Sequence, residues 1–186
     1  MGSALNRAPG RDDSIAMPIA ANAVAFEVPP LRTSDATDAI SLLPTRAALL
    51  DRLTERTPVS DQAPASLILV GLLRRDDGWP MAGASLDTIA GALSANMRGD
   101  DWLARSGPTE FAVVLSSAAD HAETATRRLL EVVSGAGVPG LTACAGIAGL
   151  SPEASPAEVH RRATLCLTAA RSVGGSRVIR YSGSRR

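Results

Sequence analysis

Lysine is absent from this sequence of 186 residues, and all nineteen basic side chains are arginine. The absence excludes a Walker A phosphate loop and a Schiff-base lysine, because both need the lysine amine. Phosphate or carboxylate groups would have to be held by the planar guanidinium of arginine. Nineteen acidic residues balance the arginines, so the net charge gives no reason to expect binding to nucleic acid or to an anionic membrane.

Aromatic residues are also scarce, at 3% of the chain against 45% hydrophobic residues, so we expect an aliphatic core. The two cysteines, Cys144 and Cys166, lie far apart in apolar segments. Neither has a CxxC partner or a histidine at metal-ligand spacing, which predicts reduced core residues. The sequence shows no secretory signal and no apolar run approaching about twenty residues. We therefore expect a cytoplasmic protein without a membrane span.

The periodic segments predict one domain with a tail at each end. Residues 1–37 mix Gly, Pro, Ala and charged residues without a sustained period, which is typical of a flexible N-terminal tail or linker. Residues 183–186 are expected to be a frayed C-terminus. The folded domain is therefore predicted to span residues 38–182.

Helical and strand patterns alternate within this domain. Helices are predicted at 44–56, 86–97, 122–133 and 155–171, and strands at 66–73, 102–105, 110–115, 141–148 and 177–181. The last helix begins at a capping box, Ser155-Pro156-Ala157-Glu158. The continuous apolar run of residues 66–73 predicts a fully buried central strand. This order favours an α+β sandwich, in which helices pack on a sheet that contains antiparallel strands.

Residues 98–115, RGDDWLARSGPTEFAVVL, contain the most distinctive local pattern. Ser106-Gly107-Pro108-Thr109 separates two β-prone runs, which predicts a hairpin. From this pattern alone, an ordinary hairpin and a functional turn are both open.

Four stretches of the domain resemble motifs of the GGDEF domain family. DAISLLPTR at residues 38–46 is similar to DxLTGLPNR, and residues 98–115 are similar to RxxDxxxRxGGDEFxxLL. LTACAGIAGL at 141–150 resembles TxSxGIA, and ATLCLTAARSVGGSRV at 163–178 resembles ADxALYxAKxxGRNxV. The resemblance implies a nucleotidyl-cyclase-like α+β fold, with a central mixed, mostly antiparallel five-stranded sheet flanked by helices. Active members of the family are diguanylate cyclases, which make cyclic di-GMP from two GTP.

The sequence departs from this family where the reaction needs its ligands. The signature GGDEF is replaced by Gly107-Pro108-Thr109-Glu110-Phe111, and GLLRRD at 71–76 stands where the family has a DxD-type metal site. Glu110 alone cannot hold Mg²⁺, which takes several oxygen ligands. Asp76 and Asp77 are the alternative ligands, and Arg171 stands at one of the family's lysine positions. We therefore expect no catalytic residues, no metal site and no cofactor, with Mg²⁺ needed only if cyclase activity is retained.

The RxxD pattern of Arg98 and Asp101 lies where the family binds cyclic di-GMP. A guanidinium can contact guanine O6 and N7 or a phosphate, and a carboxylate can accept from guanine N1–H and N2–H₂. The same pattern occurs by chance at residues 32–35 and 74–77, so only its position before the hairpin distinguishes it. In the alternative interpretation, Arg98 interacts with a helix C-terminus and Asp101 accepts from local backbone donors.

The leading hypothesis is therefore a catalytically inactive GGDEF-like signalling domain that acts as a regulatory or interaction module. Its candidate partners are cyclic di-GMP, bound through Arg98 and Asp101, and another protein. A homodimer is a further candidate assembly. The alternatives are a diguanylate cyclase with a rearranged site and a scaffold that binds no nucleotide. His121 and His160 lack a second ligand at metal spacing and are expected to face solvent.

Overall fold

The structure, a computed structural model, describes residues 42–75 and 81–183. The predicted N-terminal tail, the first residues of the predicted domain, and Asp76 and Asp77 lie outside these ranges, as does nearly all of the predicted C-terminal tail. The predicted domain boundaries therefore stay predictions.

Helices and strands follow one another in the predicted order. The helices are α1 (Arg46–Arg56), α2 (Gly83–Ala95), α3 (Ala122–Ser134) and α4 (Pro156–Val173), with a short 3-10 turn at Thr57–Val59 after α1. The strands are β1 (Ser66–Arg74), β2 (Trp102–Gly107), β3 (Glu110–Leu115), β4 (Leu141–Gly149) and β5 (Val178–Arg180). None of the described helices combines the length and hydropathy that crossing a bilayer requires.

The five strands form one sheet in the order β2-β3-β1-β4-β5. All neighbouring pairs are antiparallel except β4 and β5, which are parallel. The mixed, mostly antiparallel five-stranded sheet is therefore confirmed. Strand β1 lies at its centre, and Leu67, Ile68, Leu69 and Val70 are fully buried, as the continuous apolar run predicted.

Helices cover both faces of the sheet. Successive side chains of a strand point to opposite faces, so Ile68 and Val70 of β1 pack in the layer that contains residues of α2 and α3. Leu67 and Leu69 pack in the opposite layer, with residues of α1 and α4. Apart from Phe111, the fully buried large side chains are aliphatic, as the shortage of aromatic residues predicted.

Helix α4 lies directly on the backbone of β4. A Cβ atom added to Gly146 would overlap the backbone of Ala163 and Leu167 in α4. Such a contact cannot be relieved by moving a side chain, because both neighbours are main-chain atoms. Glycine at this position therefore sets how closely α4 approaches the sheet.

The start of α4 confirms the predicted cap. Ser155 Oγ accepts a hydrogen bond of 3.2 Å from the backbone N–H of Glu158. The Glu158 carboxylate accepts from Arg161, at 2.7 and 2.9 Å, and from Arg162 at 2.8 Å. These hydrogen bonds lower the pKa of Glu158 to about 2. The carboxylate thus joins the first two turns of the helix.

We predict that Gly146→Ala lowers the free energy of unfolding by about 3 kcal/mol, because the added methyl pushes α4 off the sheet. Gly91→Ala is the matched control, since a Cβ there meets nothing within 4 Å on α2, and it should stabilise by roughly 0.5–1 kcal/mol. Urea denaturation measures both changes. Equal effects of the two substitutions would contradict the close packing of α4.

A second prediction concerns acid stability. The pKa of Glu158 is about 2 in the folded protein and about 4.3 in an unfolded chain. Its stabilising contribution is therefore present above about pH 4.3 and lost as the pH falls towards 2. In thermal melts, the difference in Tm between the wild type and Glu158→Gln should shrink over this range. Glu153→Gln, at an exposed position before the helix, should show no such pH-dependent difference.

Candidate functional site

The hairpin of β2 and β3 ends in the turn Pro108-Thr109, which lies between the paired residues Gly107 and Glu110. The register shifts between Arg105 and Gly107, so the tip is irregular. The Thr109 carbonyl accepts a 2.8 Å hydrogen bond from the backbone N–H of Leu72 in β1. This bond ties the tip of the hairpin to the central strand.

Arg105 stabilises the turn through hydrogen bonds from a buried position. Its side chain is almost completely buried and donates from Nε to the carbonyl of Gly107 at 3.1 Å and from Nη2 to the carbonyl of Pro108 at 2.7 Å. The guanidinium also lies over the ring of Phe111, 5.8 Å from its centroid. Carbonyl groups in an irregular turn lack strand partners, so these bonds stabilise the conformation of the tip.

Both carboxylate oxygens of Glu110 have partners within the protein. Ser106 Oγ donates to Oε1 at 2.8 Å, and Arg171 Nη2 lies 3.3 Å from Oε2. The guanidinium of Arg171 also covers Gly71 of β1, because a Cβ at that glycine would lie 2.7 Å from Nη2 and 2.9 Å from Nε. The absence of a side chain at residue 71 therefore makes room for the arginine.

These residues do not fit a magnesium ion. Mg²⁺ needs near-octahedral oxygen coordination, usually through one or two carboxylates. Glu110 is the one signature carboxylate, and Arg171 already neutralises its charge. Across residues 42–75 and 81–183, no group of three or more His, Cys, Asp or Glu side chains is placed to hold a metal ion. The alternative ligands Asp76 and Asp77 fall outside these ranges, so the expectation of no metal stays a prediction.

The signature turn borders a cleft of about 510 Å³, here called the turn cleft. Its lining includes Arg46 from α1, Glu110 from the hairpin, and four side chains of α4: His160, Arg161, Leu165 and Arg171. Three arginines thus face one carboxylate across this space. Because α1, α4 and the hairpin are all needed to form it, the cleft depends on tertiary packing rather than on one motif.

The prediction that His160 faces solvent is wrong. The residue is only 9% exposed, because it lies three residues before Ala163 and seven before Leu167, which are buried on the side of α4 that packs on the sheet. Burial lowers the pKa of His160, and the positive charge of Arg46 lowers it further. The imidazole is therefore neutral near pH 7. His121, by contrast, is exposed as predicted.

Arg98 and Asp101 line a second cleft, of about 450 Å³, here called the RxxD cleft. The Asp101 carboxylate accepts from the backbone N–H of Arg98 at 3.0 Å and of Ser116 at 3.3 Å. Asp101 therefore accepts from local backbone donors, as in the alternative interpretation. Its carboxylate connects the α2–β2 loop to the residue that follows β3. The Arg98 side chain is exposed and makes no hydrogen bond or ion pair within the described part of the chain.

The structure adds Arg128 to this cleft, which the motif search missed. Arg128 extends from α3, and its Nη2 donates to the Asn96 carbonyl at 3.2 Å. Thr124 and Arg128 of α3 and His121, the residue before the helix, are spaced three and four residues apart, so they lie on one side of α3, and all three line the cleft. That spacing is visible in the sequence, but only the packing of α3 beside residues 96–101 shows that this face meets the RxxD motif.

The predicted site residues are therefore divided between two places. The signature residues Gly107, Pro108, Thr109 and Glu110 line the turn cleft, and Phe111 is buried behind them in the core. Arg98 and Asp101 line the RxxD cleft, and none of the described residues lines both. A ligand in one cleft would leave the residues of the other accessible.

Comparison with known proteins gives the ancestry of this arrangement. The sequence profile described as "Diguanylate cyclase, GGDEF domain" matches residues 35–177. No curated protein matches the sequence.

Solved structures share the fold, among them three proteins from Pseudomonas aeruginosa and Caulobacter crescentus. The GGDEF domain of FimX from Pseudomonas aeruginosa is similar with a TM-score of 0.65 and 26% identity, over 77% of this chain and 98% of that chain. The GGDEF domain of DgcB from Caulobacter crescentus, in complex with c-di-GMP, gives 0.67 and 22% identity, over 80% of this chain and 96% of that chain.

The diguanylate cyclase SiaD from Pseudomonas aeruginosa, in complex with its activator SiaC, gives a TM-score of 0.69 and 22% identity, over 81% of this chain and 63% of that chain. At 22% identity, the likeness to DgcB and SiaD extends to the fold alone. The profile, however, covers well over half of the sequence, and it spans the hairpin and both clefts. The chain therefore belongs to the GGDEF domain family.

Proposed function

We propose that this GGDEF domain does not make cyclic di-GMP but binds it in the RxxD cleft and acts as a regulatory module. The observation that carries the proposal is the placement of Arg98, Asp101 and Arg128 around one cleft that excludes the signature turn. DgcB, a protein of the same fold, was crystallised in complex with c-di-GMP. That complex is a precedent for the ligand class within this fold.

The RxxD cleft offers the groups that guanine and phosphate require. The exposed guanidinium of Arg98 can donate two parallel hydrogen bonds to guanine O6 and N7 or to phosphate oxygens. Arg128 keeps further N–H donors besides the one that bonds Asn96, because a guanidinium has five. Each Asp101 oxygen accepts one backbone N–H and retains a second acceptor position for guanine N1–H or N2–H₂. The backbone bonds also fix the carboxylate before a ligand arrives.

The signature turn supports the absence of cyclase activity. Condensing two GTP molecules needs divalent metal at the triphosphate to neutralise the developing charge. Glu110 is instead bound to Ser106 and Arg171, and Gly71 offers no side-chain ligand. Moving Arg171 aside would leave Glu110 as a single carboxylate beside an apolar strand. The remaining alternatives are a cyclase with a rearranged site and a scaffold that binds no nucleotide.

A protein partner completes the proposal, because a receptor without catalytic activity must pass its signal on by contact. SiaD, which shares the fold, was crystallised with its activator protein SiaC. We propose a partner protein or a homodimer for this chain as well, acting in the cytoplasm.

Calorimetric titration with cyclic di-GMP should show binding to the wild type, and Arg98→Ala and Arg128→Ala should each weaken it roughly tenfold to hundredfold. A charge-assisted hydrogen bond contributes about 1.5–3 kcal/mol, which corresponds to this range. Arg127→Ala is the matched control, because Arg127 precedes Arg128 on α3 but pairs with Glu123 at 2.6 Å. It should leave the affinity unchanged.

Two results would contradict this receptor role. One is the absence of heat at tens of micromolar protein, which would favour the nucleotide-independent scaffold. The other is equal binding by the wild type, Arg98→Ala and Arg128→Ala, which would place the nucleotide elsewhere on the domain.

Incubation with GTP and Mg²⁺ or Mn²⁺, followed by chromatography, should yield no cyclic di-GMP and no pppGpG. The expected reason is the missing oxygen ligands around Glu110. Product formation by the wild type that is lost in Glu110→Ala would establish the rearranged cyclase instead. Glu123→Ala is the control for a nonspecific loss of activity. Glu123 pairs with Arg127 on α3 and lines neither cleft.

A further inference from the structure

The turn cleft carries a positive charge that its own residues do not balance. Arg46, Arg161 and Arg171 line it with one carboxylate, Glu110, so the lining has an excess of two positive charges, three minus one. Glu158 pairs with Arg161, but it shares its charge with Arg162. The positive end of the α4 dipole adds to this field, because Ala157 in the first turn of α4 also lines the cleft.

Two polar side chains of the cleft have unused hydrogen-bonding capacity. Within the described part of the chain, the exposed guanidinium of Arg46 makes no hydrogen bond or ion pair. His160 Nε2 is buried and has no hydrogen-bond partner there either, while the Nδ1 atom lies 3.4 Å from Thr164 Oγ1. A buried polar atom without a partner is unfavourable. A ligand atom that enters beside the imidazole would relieve this cost.

An apolar row on α4 adjoins the arginines. Leu165 lines the cleft and is 51% exposed, and Val173 is 59% exposed. Ala169, also exposed, lies between them, so the three residues follow one another at spacings of four along one side of the helix. An exposed apolar row beside cationic groups can receive an aliphatic side chain and a carboxylate of the same peptide.

We propose that the turn cleft is the docking site for an acidic segment of a partner protein. Carboxylates of that segment bind Arg46 and Arg161, and an adjacent aliphatic side chain packs on Leu165. The proposal rests on the interaction-module part of the function above and not on cyclic di-GMP binding. Charge complementarity selects the occupant, because the lining attracts anions. The apolar row favours a peptide over a nucleic acid, because a peptide offers whole aliphatic side chains to pack on Leu165, whereas a nucleic acid presents mainly phosphate and sugar to such a surface.

Fluorescence anisotropy tests the proposal. The full chain is titrated into a labelled peptide of alternating Glu, Asp and Leu residues. The peptide should bind at low salt, and Arg46→Glu should weaken binding about fivefold or more through charge reversal. Leu165→Ser should weaken it about fivefold, because the packing of one aliphatic side chain is lost. The matched controls are Arg177→Glu and Val59→Ser, exposed residues outside the cleft, which should change the affinity less than about twofold.

The proposal is overturned if the peptide does not bind, or if Arg177→Glu weakens binding as much as Arg46→Glu. It is also overturned if a single-stranded RNA binds in place of the peptide and loses affinity in Arg46→Glu. Far-UV circular dichroism checks that Arg46→Glu is folded, and cyclic di-GMP titration of this variant separates the two proposals, since it should keep the wild-type affinity for the nucleotide. Peptide binding without nucleotide binding would refute the receptor role alone, and the reverse result would refute the docking site alone.

Discussion

Helix α4 contacts the sheet through backbone at Gly146, and this close approach places Arg171 beside the carboxylate of the signature turn. Because α4 lies directly on β4, its C-terminal part brings Arg171 over the central strand β1. Gly71 leaves room there for the guanidinium, which lies 3.3 Å from the Glu110 carboxylate. Two glycines and one ion pair therefore connect the last helix, the central strand and the hairpin. The pair is partly buried, so its loss would leave one charge without a partner in a poorly solvated place.

The two clefts differ in their chemistry. In the turn cleft, the carboxylate that a metal would need is neutralised internally, and the positive charge in excess is that of Arg46 together with Arg161, which shares the single carboxylate of Glu158 with Arg162. In the RxxD cleft, Asp101 is held by two backbone N–H groups and stands beside Arg98 and Arg128. We propose that a nucleotide binds in the second cleft and a protein in the first. Because no described residue lines both, both ligands can be bound to the domain at once.

Much of the fold could be predicted, because the patterns that determine it are local. The apolar run of β1, the cap at Ser155 and the hairpin around Gly107 each lie within a few adjacent residues. The burial of His160 and the contribution of Arg128 were missed, since both depend on which face of a helix meets which neighbour. The ion pair of Glu110 and Arg171 joins residues 61 positions apart, and no local pattern indicates it. Motif comparison indicated both sets of candidate residues but could not show that they line separate clefts.

The most direct test of the account is to map cyclic di-GMP onto the domain by NMR, using the backbone amide signals of the isotope-labelled protein. We predict chemical-shift changes at Arg98, Asp101, Ser116 and Arg128, which surround the RxxD cleft, and none at Gly107 or Glu110. Changes confined to the signature turn, or no changes at saturating nucleotide, would contradict the account.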